Sequence, residues 1–386
     1  MTTILLTAVD DRLSSHVIEP DTGALTLCQT QHLPAKVQYA WRHPNLPVLY
    51  AACSASGPRV RSEFNVLVAL RISPDGQLTT FGTDRRLPLR AVHISTDPDG
   101  CYLLAAHNFG GGALSVLPVE EDGGLGQILP QNAVCDFGIY PHQVRVFPSG
   151  RAALVVDRGI NANSETGERP GALRSYTLTD GQASPRQVIA PNGGFGFGPR
   201  HVDFHPSRPW LYAADERFNR LMMFGISGDM IESHPRWTLD MLADRGPTMP
   251  RQLGGAIHVH PRGHVVYAAN RADATQDHNG MPVFAGGENS IAVFAIDPES
   301  GEPTPIQNTP IEAIHARTFS VDPSGKLLVA ASIKALQRLT DGRVTPIPAR
   351  LSLFRIGDDG RLNLLRVHDV ETSGSELQYW SGLIAL

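Results

Sequence analysis

His260-Pro261-Arg262-Gly263-His264-Val265-Val266-Tyr267-Ala268-Ala269 reads as a tight turn feeding a short apolar strand, and this phrase decides the fold because it recurs along the chain. Earlier copies are His43-Pro44-Asn45-Leu46 before Val48-Leu49-Tyr50-Ala51-Ala52, and Asp97-Pro98-Asp99-Gly100 before Tyr102-Leu103-Leu104-Ala105-Ala106. Phe147-Pro148-Ser149-Gly150 precedes Ala153-Leu154-Val155-Val156, and His205-Pro206-Ser207-Arg208 precedes Trp210-Leu211-Tyr212-Ala213-Ala214. The last copy is Asp322-Pro323-Ser324-Gly325 before Leu327-Leu328-Val329-Ala330-Ala331. The prolines follow one another at intervals of 54, 50, 58, 55 and 62 residues. The 37 glycines and 30 prolines are spread over the whole chain rather than gathered in linkers, which indicates many short strands joined by turns.

Each unit continues into a third strand, as in Ser290-Ile291-Ala292-Val293-Phe294-Ala295-Ile296, then a turn such as Asp297-Pro298-Glu299-Ser300-Gly301 and a weaker fourth strand. Four antiparallel strands in about 55 residues is the unit of a β-propeller, and the period is too long for leucine-rich or ankyrin repeats. Six full units leave two orphan ends. Ile4-Leu5-Leu6-Thr7-Ala8-Val9 reads as a second strand without a first, continuing through Ser15-His16-Val17-Ile18 to the turn Glu19–Gly23. Tyr379-Trp380-Ser381-Gly382-Leu383-Ile384 reads as a first strand with nothing after it. Joined, the ends complete a seventh blade and leave no inner edge unpaired. The expectation is an all-β, seven-bladed β-propeller over residues 1–386 as a single domain, one blade closed by the N- and C-terminal strands. Six or eight blades are the alternatives. A helix-like stretch at Trp237 to Arg245 is too short to change the class.

Composition narrows the function. The 33 Lys+Arg and 38 Asp+Glu leave a net charge of −5, so the broad basic field of a nucleic-acid or anionic-membrane binder is missing. No apolar run approaches the ~18 residues of a membrane helix, and the opening residues carry no basic stretch of a signal peptide. Cys28, Cys53, Cys101 and Cys135 stand far apart without a CxxC pair, so a reducing cytoplasm is expected.

In a blade the first strand lines the channel and the Pro-x-Gly turn sits at the bottom. The start of strand one and the end of strand two therefore share the upper face. Six residues before the repeat proline stand Gln38, Val92, His142, Arg200, Gly255 and Arg317; ten after it stand Ser54, Asn108, Arg158, Glu216, Arg271 and Ile333. Two registers rich in Arg, His, Glu and Asn, flanking apolar strands, point to a concave site at the channel mouth. Insertions at Asn161–Gly171 and Ala272–Gly287 lengthen loops on that face, as lids or as plain surface loops. His258-x-His260 has the strand spacing of metal ligands, but His260 is the turn residue shared with His43 and His205, which places it at the bottom of its blade. Asn192–Gly198 is glycine-rich without a following helix, so it is no phosphate loop. No G-x-S-x-G elbow and no cysteine in a catalytic context is present.

The phrases Tyr140-Pro141-His142-Gln143-Val144, Gly198-Pro199-Arg200-His201-Val202, Ala214-Asp215-Glu216, Ala269-Asn270-Arg271 and Asn108-Phe109-Gly110-Gly111-Gly112 resemble the seven-bladed propeller lactonases. That family includes propeller-type 6-phosphogluconolactonases and the carboxy-cis,cis-muconate lactonising enzymes. In its lactonising branch the resemblance implies a site of His142, Arg200, Glu216 and Arg271, and no metal or organic cofactor; Asn108, Arg158, Asn270 and Arg317 are expected as substrate-binding residues. The chain departs from the family pattern at Ala52-Cys53-Ser54, at Gly255-Ala256-Ile257 and at Ser332-Ile333.

Water attack on a lactone carbonyl builds an oxyanion that needs aimed donors. Arg200 or Arg271 can supply one, or can clamp a substrate carboxylate or phosphate, with Arg158 and Arg317 as further anchors. His142 is the natural acid/base group; Glu216 either shares that work or orients the imidazole. The expected function is hydrolysis of a small anionic lactone by acid/base catalysis, with no nucleic-acid or membrane partner. A carboxymuconate-type cycloisomerase and a non-catalytic binding propeller are the alternatives.

Overall fold

The computed structural model describes residues 2–57, 60–131, 135–244, 246 and 250–386. Its strands form seven radial sheets around a channel. Blade 1 is built innermost to outermost from Gln378–Ala385, Thr3–Val9, Arg12–Ile18 and Leu25–His32, so the two ends of the chain close the ring as expected. Blade 2 contains Lys36–Arg42, Val48–Ser54, Asn65–Ile72 and Leu78–Arg86. Blade 3 has Ala91–Thr96, Tyr102–His107 and Ala113–Pro118, with isolated bridges Val116↔Leu129 and Val119↔Leu125 in place of a regular fourth strand. The inner pairs of the remaining blades are Pro141–Val146 with Ala152–Asp157, Pro199–Phe204 with Trp210–Asp215, Leu253–Val259 with Val265–Arg271, and Ala316–Val321 with Leu327–Ser332.

The apolar second strands are explained by packing on both faces. Side chains alternate along a strand, so Val265, Tyr267 and Ala269 pack toward blade 7 while Val266 and Ala268 pack toward blade 5. There is no central core. Seven apolar clusters fill the seven joints between neighbouring blades. The repeated turns add a polar fastener at three joints. The imidazoles of His43, His205 and His260 accept backbone N–H groups of their own turns at Nδ1. Each then donates from Nε2 to a carbonyl in the next blade, Gly100, Gly263 and Gly325 respectively, at 3.1, 2.8 and 2.9 Å. Those glycines have φ of +79°, +76° and +72°, and a Cβ there would strike the imidazole. The turn glycine is thus required by its own backbone and by the previous blade's histidine.

Two expectations need correction. Trp237–Asp240 is an outer strand of blade 5 paired with Arg220–Met223, not a helix; part of the stretch to Arg245 lies outside the described residues. Its alternating side chains, half-buried and exposed in turn, fit a sheet edge better than a helix face. The insertion at Ala272–Gly287 is no irregular loop: Thr275–His278 and Met281–Phe284 form a hairpin. That hairpin joins a second one from blade 7, Leu336–Thr340 with Arg343–Ile347, through a parallel contact of Val283 with Gln337. The resulting small sheet stands on the upper face. The reading of His260 as a turn residue holds, and among the described residues no group of His, Cys, Asp and Glu is arranged to hold a metal.

Gly263→Ala is expected to lower unfolding free energy by roughly 2 kcal/mol or more through its left-handed backbone and the His205 ring. Chemical denaturation of that variant against Ser149→Ala, on the exposed turn of blade 4, checks it. Equal midpoints would remove the fastener from the account.

Candidate active site

The residues six before the repeat proline are not ordinary strand positions. In every blade the inner pairing slips there: register breaks fall at Gln38, Val92, His142, Arg200, Gly255–Ala256 and Arg317. A bulge leaves one residue without a cross-strand partner and can re-aim its side chain; Gln38, His142, Arg200 and Arg317 gather at the channel mouth, whereas Val92 packs into the joint between blades 3 and 4. Blade 1 bulges at Tyr379, between Gln378 and Trp380, which completes a ring of seven. The loops that enter strand one are fixed by buried carboxylates at the end of strand two. Asp157 accepts the N–H groups of Ile139, Tyr140 and Gly159, and Asp215 accepts those of Gly198, Arg217 and Phe218. These Asx-type clamps set the start of the strands that carry His142 and Arg200.

Five arginines converge on this rim around a single carboxylate. Glu216, 5% exposed, takes Arg158 Nη1 on Oε2 at 2.5 Å and Arg271 Nη2 on Oε1, with Arg200 Nε 3.5 Å from Oε1. Burial alone would raise the Glu216 pKa; Arg271, Arg158 and Arg200 overcome it and pull the value down to about 2. Glu216 is therefore ionised at any working pH and a very weak base. Arg271 is fully committed to the protein: Nε donates to Gly254 O at 3.1 Å and Nη1 lies 3.1 Å from His315 Nε2. Arg158 stacks over the Tyr140 ring at 4.3 Å. Arg90 donates to Gln38 Oε1 at 2.9 Å and Asn108 Oδ1 at 3.1 Å.

Arg200 and Arg317 keep unused donors, as Arg158 does at its Nε. Arg200 is 1% exposed, and its Nε and Nη1 make no hydrogen bond; the Arg317 Nε is likewise buried without a partner. Arg317 lies against the Tyr379 ring at 5.7 Å. A buried guanidinium without acceptors is costly unless a ligand supplies them. His142 is 6% exposed, with Nδ1 buried and unpartnered. Burial, then Arg200 and His201, hold its pKa well below the usual imidazole value, so the ring is neutral.

The eight expected residues thus separate. His142, Arg200, Glu216, Arg271, Arg158 and Arg317 meet at the rim, and Asn108 reaches it through Arg90. Asn270 does not join them. Its Nδ2 contacts Met241 O, Glu288 Oε1 and Ser290 Oγ at 2.7, 3.1 and 3.2 Å, and its Oδ1 accepts from Asn219. It faces the blade interior because strand neighbours point oppositely and Arg271 takes the channel side.

Sequence reasoning missed four residues: Arg90, Tyr379, His315 and Asp273. Arg90 follows no repeat register, and Tyr379 belongs to the one blade without a proline ruler. His315 sits at φ +64°, held by its N–H to Asn289 Oδ1 at 2.7 Å. Its Nδ1 lies 3.2 Å from Asp273 Oδ2, and burial brings its pKa down to about 4, so Nε2 faces Arg271 as a neutral acceptor. Asp273 also lies 3.8 Å from Lys334 and from Arg251, which links the roots of the two hairpins.

The chain is similar to known proteins in sequence and in fold. Residues 7–337 match the model of the family described as lactonase, 7-bladed beta-propeller. The chain is 30% identical over 341 residues to a 6-phosphogluconolactonase of Klebsiella pneumoniae, covering 85% of this chain and 88% of the other. It is 28% identical over 323 residues to a 6-phosphogluconolactonase of Serratia proteamaculans, covering 82% and 83%. The structure of the periplasmic gluconolactonase PpgL of Pseudomonas aeruginosa superposes with a TM-score of 0.73 at 19% identity, covering 100% of this chain and 99% of that one; it bears on the fold.

Buried neutral histidines make the fold acid-sensitive. Burial depresses the pKa values of His93, His142 and His201 in the folded state. Below about 6.5 the unfolded chain binds protons that the folded chain does not, so stability falls with falling pH by up to about 1.4 kcal/mol per histidine per unit. Urea midpoints measured from pH 7.5 to 5 are expected to decline steeply; a flat profile would contradict neutral burial.

Proposed function

The chain belongs to the seven-bladed β-propeller lactonase family, and from that premise we propose that it hydrolyses a small sugar lactone bearing an anionic group, with a phosphate as the best match. The observation that carries this reading is charge. Arg90, Arg158, Arg200, Arg271 and Arg317 share one rim with Glu216 as their carboxylate, so the site holds a surplus of buried positive charge with unused donors on Arg200 and Arg317. A dianionic substituent supplies the missing acceptors and countercharge. A neutral sugar lactone would leave both needs unmet.

His142 takes a proton from water as the water oxygen bonds to the lactone carbonyl carbon. The oxyanion accepts from Arg200, where a donor in a water-poor site is worth roughly 3 kcal/mol. The ring C–O bond then breaks, and the alkoxide recovers the proton from the imidazolium. The resulting hydroxy acid ionises and releases one proton to solvent. Glu216, held near 2, serves as the fixed countercharge that spaces Arg158 and Arg271 rather than as the base. His315 and Asp273 hold Arg271 from its far side. The cycloisomerase and scaffold alternatives are not favoured, because both sequence relatives carry the name of a lactone-opening enzyme. A cytoplasmic location is part of this proposal and fits the free thiols of Cys28, Cys53, Cys101 and Cys135. No helix among the described residues is long and apolar enough to cross a membrane.

Proton release on 6-phosphogluconolactone, followed by pH-stat, tests the reading. His142→Gln is expected to lower kcat by about 10²–10⁴-fold. Arg317→Met is expected to raise KM about tenfold or more with a smaller change in kcat. Unphosphorylated gluconolactone should show a kcat/KM at least about tenfold lower in the wild type, a gap that narrows in Arg317→Met. Equal rates on both lactones would overturn the anion assignment, and an unchanged kcat in His142→Gln would overturn the base.

Because His142 must be neutral to act, its depressed pKa moves the acid limb of kcat/KM below the ordinary imidazole range. The rate in the free enzyme is expected to hold as pH falls through 6.5. A limb at or above 6.5 would show that the base is another group or that the imidazole is solvated.

A further inference from the structure

The opposite end of the channel holds a cavity of about 540 Å³ that shares no lining residue with the arginine rim. Its mouth is formed by the turn residues His43, Pro44, Asp97, Pro98, Pro148, His205 and Pro206, which identifies it as the lower face. Its volume falls in the range of small-molecule sites. Trp41, Trp380, Tyr39 and Phe319 give it flat aromatic walls.

Most polar groups of the lining are engaged within the protein, among them His43, His205, Thr96, Thr318 and Ser320, and three keep unused hydrogen-bonding capacity: Arg145, Arg42 and His201. Arg145 donates Nη1 to Asp203 Oδ1 at 2.9 Å and lies over the Trp41 ring at 5.3 Å; no other partner engages its guanidinium among the described residues. Arg42 has no carboxylate within ion-pair distance among the described residues, and its Nε is buried without a hydrogen bond. His201, only 5% exposed, lines the cavity and makes no hydrogen bond to the described protein. Burial, then Arg200, keeps that imidazole neutral, so it offers one donor and one acceptor. On the acidic side, Asp203 is shared between Arg145 and the N–H of Val259, and Asp97 accepts the N–H of Tyr102.

We propose that this lower cavity is a second ligand site, separate from the arginine rim, for a small planar aromatic carboxylate. The aromatic walls take the ring by stacking. The unused N–H groups of Arg145 and Arg42 take the carboxylate, as guanidinium forks do. The neutral imidazole of His201 takes a ring hydroxyl. Most of the lining is apolar, which favours a flat aromatic body over a polyol. The proposal does not depend on the lactonase reading, since no residue of the rim enters it.

Two of the four tryptophans line the cavity, so intrinsic fluorescence reports its occupancy directly. Titration of the full chain with 4-hydroxybenzoate at pH 7.5 is expected to give saturable quenching. Arg145→Met should weaken binding at least about tenfold, whereas Arg317→Met at the other rim should leave it unchanged. If Arg145→Met does not fold, Trp41→Leu carries the same expectation, read by isothermal calorimetry. Absence of saturation, equal affinity in the lower-cavity variants, loss of binding only in Arg317→Met, or tighter binding of D-gluconate than of 4-hydroxybenzoate at the same place would each overturn the proposal. A crystal soaked with 4-hydroxybenzoate is expected to show its carboxylate at the Arg145 guanidinium, inside the lower cavity.

Discussion

The antiparallel pairing of Thr3–Val9 with Gln378–Ala385 is the contact on which the other contacts depend. A propeller has no interior independent of its joints; each blade buries its two faces only against its neighbours. Without that pairing, blade 1 loses its innermost strand. The cluster of Leu5, Ile18 and Leu383 with Leu327, Val329 and Leu353 would then no longer seal the last joint. The rim has the same requirement. Arg90, His142, Arg200, Glu216, Arg271 and Arg317 come from blades 4 to 7 and from the loop before blade 3, and only a closed wheel brings them to one axis. Long-range ring closure of this kind is entropically demanding, which is why strong burial at every joint accompanies it.

Within the ring, bulged inner strands and a single carboxylate decide what the upper mouth can do. The bulge re-aims Gln38, His142, Arg200, Arg317 and Tyr379 without breaking the apolar packing behind them, while Val92 stays in that packing and Gly255 carries no side chain. Burying several guanidiniums at close quarters is unfavourable unless acceptors are supplied. Glu216 supplies them for Arg158 and Arg271, and His315 and Gly254 complete Arg271. Arg200 and Arg317 remain short of acceptors, so the mouth keeps unused donors.

Much of this was legible because propellers are repetitive. The Pro-x-Gly phrase located the inner turns, and the position six residues before it located the bulges, although the reason for that position is a register slip invisible in the sequence. The same ruler failed where the repeat was incomplete. Tyr379 has no proline after it, Arg90 precedes its strand, and His315 lies on a loop in a left-handed conformation that few histidines adopt. Asn270 and Arg271 share one phrase of the sequence, yet strand alternation sends the two side chains to opposite faces. The helix-like reading of Trp237 to Arg245 failed over Trp237–Asp240 for a related reason: a short apolar stretch does not reveal whether its period is set by a helix or by a sheet edge.

By itself the sequence determined the class and pointed to seven blades closed through both termini and to most of the residues that gather at the rim, because those follow from local turn chemistry and a regular period. Tertiary structure alone decided protonation and role. Whether Glu216 is a base or a countercharge depends on how many arginines reach it, and whether His142 is neutral depends on how deeply it is buried. Both are sums over residues from different blades, distant in the chain, and no local pattern encodes them.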